Sequence, residues 1–228
     1  MIIIKNKVIR KILKYFIPFV LIPVTAILGT LAFDEKKHIF VSLFIAVLTL
    51  IFFVAGLEKK EIGTRRMVIV SVMIALSVVG RFIPLFKPVM ALTIITAMYL
   101  GGESGLMVGA FSLLLSNFYF GQGPWTPFQM LAYGFIGLIA GSLSKLLKKN
   151  IFLLLLFGVA SGVLFSAVMD LWNVLWYGNG FDMKLYFLAM LSAAPYTALY
   201  SISNVFFLLL LSNPLGKKIE RIKKKYNI

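Results

Sequence analysis

Eight apolar runs, most of them near the thickness of a bilayer, follow one another along the 228-residue chain, with short charged or turn-forming stretches between them. A hydrocarbon core of about 30 Å takes about 20 helical residues to cross, because each rises only about 1.5 Å. Backbone polar groups in lipid have to be satisfied within the segment, so each run reads as a helix. The runs lie near residues 15–33, 39–57, 67–83, 88–100, 104–119, 127–144, 151–172 and 185–211. The fourth and fifth are short enough to form a re-entrant hairpin instead of two crossings. With 61% hydrophobic and 14% charged residues, the composition is that of an all-α integral membrane protein. The absence of cysteine excludes a disulfide framework, a thiolate metal site and a cysteine nucleophile.

Basic residues orient the runs, since short cytoplasmic loops collect Lys and Arg. With the N-terminus inside, the inner side holds Lys5, Lys7, Arg10, Lys11 and Lys14, then Lys59, Lys60, Arg65 and Arg66. It also holds Lys145, Lys148 and Lys149, and the tail adds Lys217, Lys218, Arg221, Lys223, Lys224 and Lys225, making 18 of the 23 basic residues. Only Lys36, Lys37, Arg81, Lys87 and Lys184 fall outside. This skew places a multi-pass protein in the cell membrane with both termini cytoplasmic. Read this way, the +15 net charge reports topology and attraction to anionic membrane lipid, not nucleic-acid binding.

The charged stretch EKKEIGTRR, residues 58–66, divides the chain. Residues 1–64 form a transmembrane hairpin with basic flanks, 65–215 a six-helix body, and 216–228 a basic cytoplasmic tail. The first run is longer than a secretory signal's apolar core and no small-x-small cleavage site follows it, so it reads as a retained helix. His38, the single histidine, lies in a charged outer turn and reads as solvated.

Polar side chains inside spans are costly in hydrocarbon and face a partner, a cavity or the bundle interior. Ser166, Asp170, Asn173 and Tyr177 recur at i, i+4, i+7 and i+11, forming one stripe. Tyr196, Tyr200 and Asn204 repeat every four residues in the last span, as do Gln129 and Tyr133 in the sixth. The orientation sets Asn117, Gln129, Tyr133, Asp170 and Asn173 in the outer half. Trp172, Trp176 and Tyr177 read equally as aromatic-belt anchors. Asp170 either pairs with Arg81 or faces a solute, and the two readings are compatible. Small residues form a second pattern. Gly105 with Gly109, and Gly137 with Gly141, have the spacing that lets helix backbones approach closely. Ser71 and Ala75 share a face that either packs internally or is reserved for another subunit.

The densest irregularity is FGQGPWTPFQM, residues 120–130. Gly121 and Gly123 allow tight turns, and Pro124 and Pro127 stiffen the start of the sixth span. Trp125 offers a flat apolar face with one donor, and Gln129 offers donors and acceptors. This combination suits a ring-bearing organic solute better than an inorganic ion, which would need several carboxylates or carbonyls.

NFYFGQGPWTPFQMLAYGFIGLIAG, residues 117–141, together with MIALSVVGRFIP, residues 73–84, resembles the substrate-binding S components of energy-coupling factor (ECF) vitamin transporters, over about residues 65–215. The resemblance implies a six-helix body that captures a vitamin or related micronutrient from outside. A cobalamin-type solute is the working expectation, and riboflavin-, pantothenate- and queuosine-like solutes remain open. It implies docking on an ECF transmembrane coupling subunit with two cytoplasmic ATPases, and reorientation of the whole body as ATP is hydrolysed. The solute-binding residues are then Asn117, Trp125, Gln129, Tyr133, Asp170 and Asn173. The family's alanine-xxx-alanine docking face maps onto Ser71, Ala75 and Val79, of which only Ala75 is alanine. The N-terminal hairpin is an addition to the family's six helices. No catalytic residue, metal site or cofactor is expected: there is no GxxxxGK[ST] loop and no HExxH, and the only histidine is in a loop. An intramembrane enzyme therefore lacks its constellation, and a self-sufficient secondary transporter lacks a visible inverted repeat.

Overall fold

The computed structural model describes residues 16–32, 38–55, 60–178 and 181–226. The basic residues between 1 and 15, together with Lys36, Lys37 and Lys59, lie outside the described residues. Among those described, nine α-helices and no strands are present: α1 (Ile22–Ala32), α2 (His38–Ala55), α3 (Lys60–Gly80), α4 (Val89–Leu100), α5 (Gly102–Phe120), α6 (Thr126–Ser142), the short α7 (Ser144–Lys149), α8 (Ile151–Tyr177) and α9 (Met183–Tyr226). The fourth and fifth runs are two distinct antiparallel helices, joined at Gly101, whose φ of 94° only glycine adopts readily.

Local chemistry explains the helix ends. A wide π-type turn, Ile17–Leu21, leads into α1, with the Ile22 N–H bonded to the Ile17 carbonyl, because Pro23 next along has no N–H to continue the ordinary ladder. Asn150 caps α8 by accepting from the N–H groups of Phe152 and Leu153 at 2.9 and 3.4 Å. Asp182 does the same for α9, accepting from Lys184 and Leu185 at 2.7 and 3.2 Å.

Among the described residues three helices are long and apolar enough to cross a membrane, Gly63–Gly80, Ile151–Tyr177 and Met183–Tyr226, and Ile17–Leu28, Phe40–Thr49 and Val89–Leu100 are shorter apolar segments. Outward faces are themselves apolar. On α2, Val41, Ile45, Leu48 and Phe52 are buried at helical spacing, while Phe40, Leu43, Phe44, Val47 and Ile51 point out. A water-soluble helix would present polar residues there, so the solvent of this surface is lipid.

Helix α4 is the hub, with every residue buried except Tyr99. Beside it α5 and α6 meet backbone to backbone. A Cβ on Gly137 would lie 2.5 Å from the Gly105 carbonyl carbon, and one on Gly109 would lie 2.6 Å from the Tyr133 oxygen. Of the four glycines read from the sequence, Gly105 and Gly137 thus face each other across this contact, while Gly109 faces Tyr133 and Gly134 and Gly141 faces Gly102. Helices α8 and α9 form the second close pair, seamed by Asn204 Nδ2 to the Gly158 carbonyl (3.0 Å), Ser201 Oγ to the Val159 carbonyl (3.2 Å) and Thr197 Oγ1 to Ser166 Oγ (2.6 Å). On the other flank, Ile17, Ile22, Ala26, Ile45 and Phe52 share a core with Leu106, Ala110, Leu113 and Leu138 of α5 and α6.

The basic tail is no loose flank. It continues α9, whose 44 residues rise about 66 Å and outrun the bilayer core. Gly216 sits against the Tyr99 ring, and Lys223 Nζ donates to the Tyr99 carbonyl at 2.8 Å. At the same end Arg66 and Glu103 form an ion pair of 3.4 Å, and Arg66 Nε donates to Ser104 Oγ at 2.7 Å.

Candidate functional site: a loop-covered cavity between four helices

The opposite end of the bundle carries the loop of residues 81–88 between α3 and α4. Leu85 holds a φ of 63°, rare for a residue with a Cβ, so the chain turns sharply here. The loop is tied to α9 twice. The Lys87 N–H donates to Ser203 Oγ at 2.9 Å, and Ser203 Oγ donates to the Lys87 carbonyl at 3.2 Å. Under it lies a cavity of about 280 Å³ between α4, α6, α8 and α9, lined by Leu85, Lys87, Met90, Tyr133, Phe165, Tyr196, Tyr200 and Asn204. Three of its walls are one aromatic ladder. Tyr133 meets Phe165 edge-on at 5.1 Å between centroids, and Phe165 meets Tyr200 the same way, again at 5.1 Å. Asn204 spends its Nδ2 on Gly158, which leaves its carbonyl oxygen to accept from a solute.

Beside the cavity FGQGPWTPFQM folds around Asn117, which is fully buried. Asn117 Nδ2 donates to Thr126 Oγ1 at 2.8 Å and to Gln129 Oε1 at 2.9 Å, and its Oδ1 accepts from Arg81. Thr126 Oγ1 donates to Gln122 Oε1 at 3.0 Å, and Gln122 Nε2 donates to the Leu114 carbonyl at 3.0 Å. Arg81 also donates to Ser116 Oγ. Burying this many polar groups is tolerable only because they satisfy one another. The network holds Arg81 within electrostatic reach of Tyr133 and Tyr200.

Of the six residues singled out from sequence, Tyr133 alone lines the cavity. Asn117 and Gln129 belong to the network beside it. Trp125 packs edge-on against Trp172 at 5.9 Å. Asp170 lines a different space, a groove of about 600 Å³ between α8 and α9, with Ser166, Val163, Ala194 and Thr197. Asn173 is exposed. The Arg81–Asp170 ion pair does not form, since Arg81 is spent on Ser116 and Asn117. Leu85, Lys87, Phe165 and Asn204 enter the site unannounced, although the α9 stripe of Tyr196, Tyr200 and Asn204 was visible as a period of four. Ser71, Ala75 and Val79 all lie exposed on α3, beside the equally exposed Val68, Val72 and Leu76.

The chain is thus an all-helical, multi-pass membrane bundle with a partly open cavity beside the 81–88 loop. A family model for the S component of ECF-type riboflavin transporters matches residues 61–221, and the chain belongs to that family. Members are the substrate-specific subunits of ECF transporters and work with an ECF transmembrane component and ATPases. The match begins after α2, so α1 and α2 lie outside it. Comparison with curated proteins gave no match, and neither did comparison with solved structures.

Proposed function

We propose that this chain captures a riboflavin-type solute from outside the cell in the cavity under residues 81–88 and delivers it to an ATP-driven partner complex. The observation that carries this reading is the ladder of Tyr133, Phe165 and Tyr200, which offers flat apolar faces to a fused-ring compound. Asn204 Oδ1 accepts from a ring N–H, and the Tyr133 and Tyr200 hydroxyls reach ring carbonyls. The match to a family of riboflavin transporters supports a flavin, in place of cobalamin, as the expected cargo. Asn117 and Gln129 act by holding Arg81 and the start of α6 in place. The α3 face with Ser71, Ala75 and Val79 is the surface for the coupling subunit, and the body of residues 65–215 reorients as a unit. Residues 1–64 ride with it as an accessory hairpin and 216–228 as its cytoplasmic tail.

Purified protein in nanodiscs, titrated with riboflavin, is expected to quench flavin fluorescence saturably and to melt at a higher temperature with ligand present, because a ligand that binds only the folded state stabilises it. No quenching and an unmoved melting temperature at millimolar riboflavin would remove flavins as the cargo.

A further inference from the structure

The end of α9, residues 216–226, is a helix with two unlike faces. One is fastened to the bundle. Gly216 and Ile219 are buried, Gly216 against the Tyr99 ring, and Lys223 donates to the Tyr99 carbonyl. Farther along, Arg65 of α3 donates to the Tyr226 carbonyl and lies 5.5 Å from its ring centroid. The other face carries Lys217, Lys218, Arg221, Lys224 and Lys225, all exposed, at i, i+1, i+4, i+7 and i+8. At about 100° per residue these five cations form one stripe about 12 Å long, opposite Gly216, Ile219 and Lys223. Glu220, the one acid among residues 216–226, is within electrostatic reach of Tyr99 and of Lys148 on α7.

The negative end of the helix dipole accounts for Lys224 and Lys225 in the last turn, but not for Lys217, Lys218 and Arg221 before it. Like charges four apart, Lys217 with Arg221 and Arg221 with Lys225, repel, so the helix gains from an anionic partner. Lipid headgroups ring the sides of a membrane bundle, whereas this helix is fastened to the ends of α4 and α3 with its cations turned away from the bundle. We infer that the stripe is a docking surface for an acidic protein face on the aqueous part of the partner complex, a second contact besides the α3 face. This rests on the reading that the chain delivers its solute to an ATP-driven complex, and adds a contact to it. Because the opposite face is pinned, the cations form a fixed array and little ordering is lost on binding.

The test uses the full-length protein in neutral detergent, free of lipid, with the ECF transmembrane component and its ATPases from the same cells as the probe. Wild type should bind the complex at low ionic strength, and about 0.5 M salt should weaken it about tenfold. The combined variant Lys217→Gln, Lys218→Gln, Arg221→Gln, Lys224→Gln and Lys225→Gln should show the same loss already at low salt. Glutamine keeps the helix, so its melting temperature should match wild type. The charge-keeping variant Lys217→Arg, Lys218→Arg, Lys224→Arg and Lys225→Arg should bind as wild type does. An unchanged Kd in the glutamine variant, or wild-type binding insensitive to salt, overturns the inference. So does a glutamine variant that binds the complex normally and has lost only its sedimentation with phosphatidylglycerol vesicles, which assigns the stripe to lipid. If wild type does not bind the complex at all, the delivery reading itself falls, and this inference with it.

Discussion

Helices α8 and α9 separate two very different spaces. On one side lies the groove of about 600 Å³, lined by Val159, Val163, Ala194, Ile202 and other apolar residues, with Asp170 as its one ionisable group. On the other lies the cavity of about 280 Å³, covered by a loop and walled by rings. The larger space is the poorer site. An almost wholly apolar lining has little with which to distinguish a solute from lipid, whereas the smaller space offers aromatic rings and a few placed polar atoms. The α3 face is open in the same sense as the groove, and its exposed small and branched side chains suit contact with another helix. The proposed function puts solute recognition in the smaller space and contact with lipid or protein on the open faces.

That division can be broken experimentally. The largest expected effect is on the α3 face. Ala75→Trp puts an indole where close helix approach is needed, so uptake in cells or liposomes with the partner complex should disappear while solute affinity stays unchanged. Retained uptake would take the coupling subunit off this face. Next comes the cavity wall. Phe165→Leu keeps an apolar filler and removes the flat ring between Tyr133 and Tyr200, so riboflavin affinity should drop about tenfold, or about 1.4 kcal/mol, in a fluorescence titration. An unaltered Kd would mean the ring does not touch the solute. Smallest is the groove: Asp170→Asn should leave affinity within about twofold, and a loss beyond about tenfold would move the solute across to the α8–α9 groove.

The placement of the helices was legible in the sequence because apolar length is a local quantity. The runs became helices close to their expected places, including the paired α4 and α5. The glycine spacings were legible for the same reason: spacing of four puts small residues on one face, and those of α5 and α6 meet each other. Asp170 shows where periodicity stops. Ser166 and Asp170 do share a face, as read, and both line the groove. Periodicity fixes which residues lie together, but not which neighbour they look toward. Gly162 and Phe165, on another side of the same helix, are the ones that reach the cavity. Lys87 was counted only as a charge, because nothing local announces that a loop will fold over and bind Ser203, 116 residues away. The same distance effect hid the network within FGQGPWTPFQM, whose Gln122, Thr126 and Gln129 close around a buried Asn117.

The backbone contact between α5 and α6 has a mechanical corollary. Where Gly105 meets Gly137 there is no side chain to rotate aside, so that half of the bundle is a fixed wall. The facing side is built differently: there the 81–88 loop is fastened by the Ser203 hydroxyl, which both gives and takes a bond, by Arg81 on Ser116 and Asn117, and by Phe86 against Phe206. Because both of its bonds go to the Lys87 backbone, Ser203 fastens the loop whatever side chain stands at position 87.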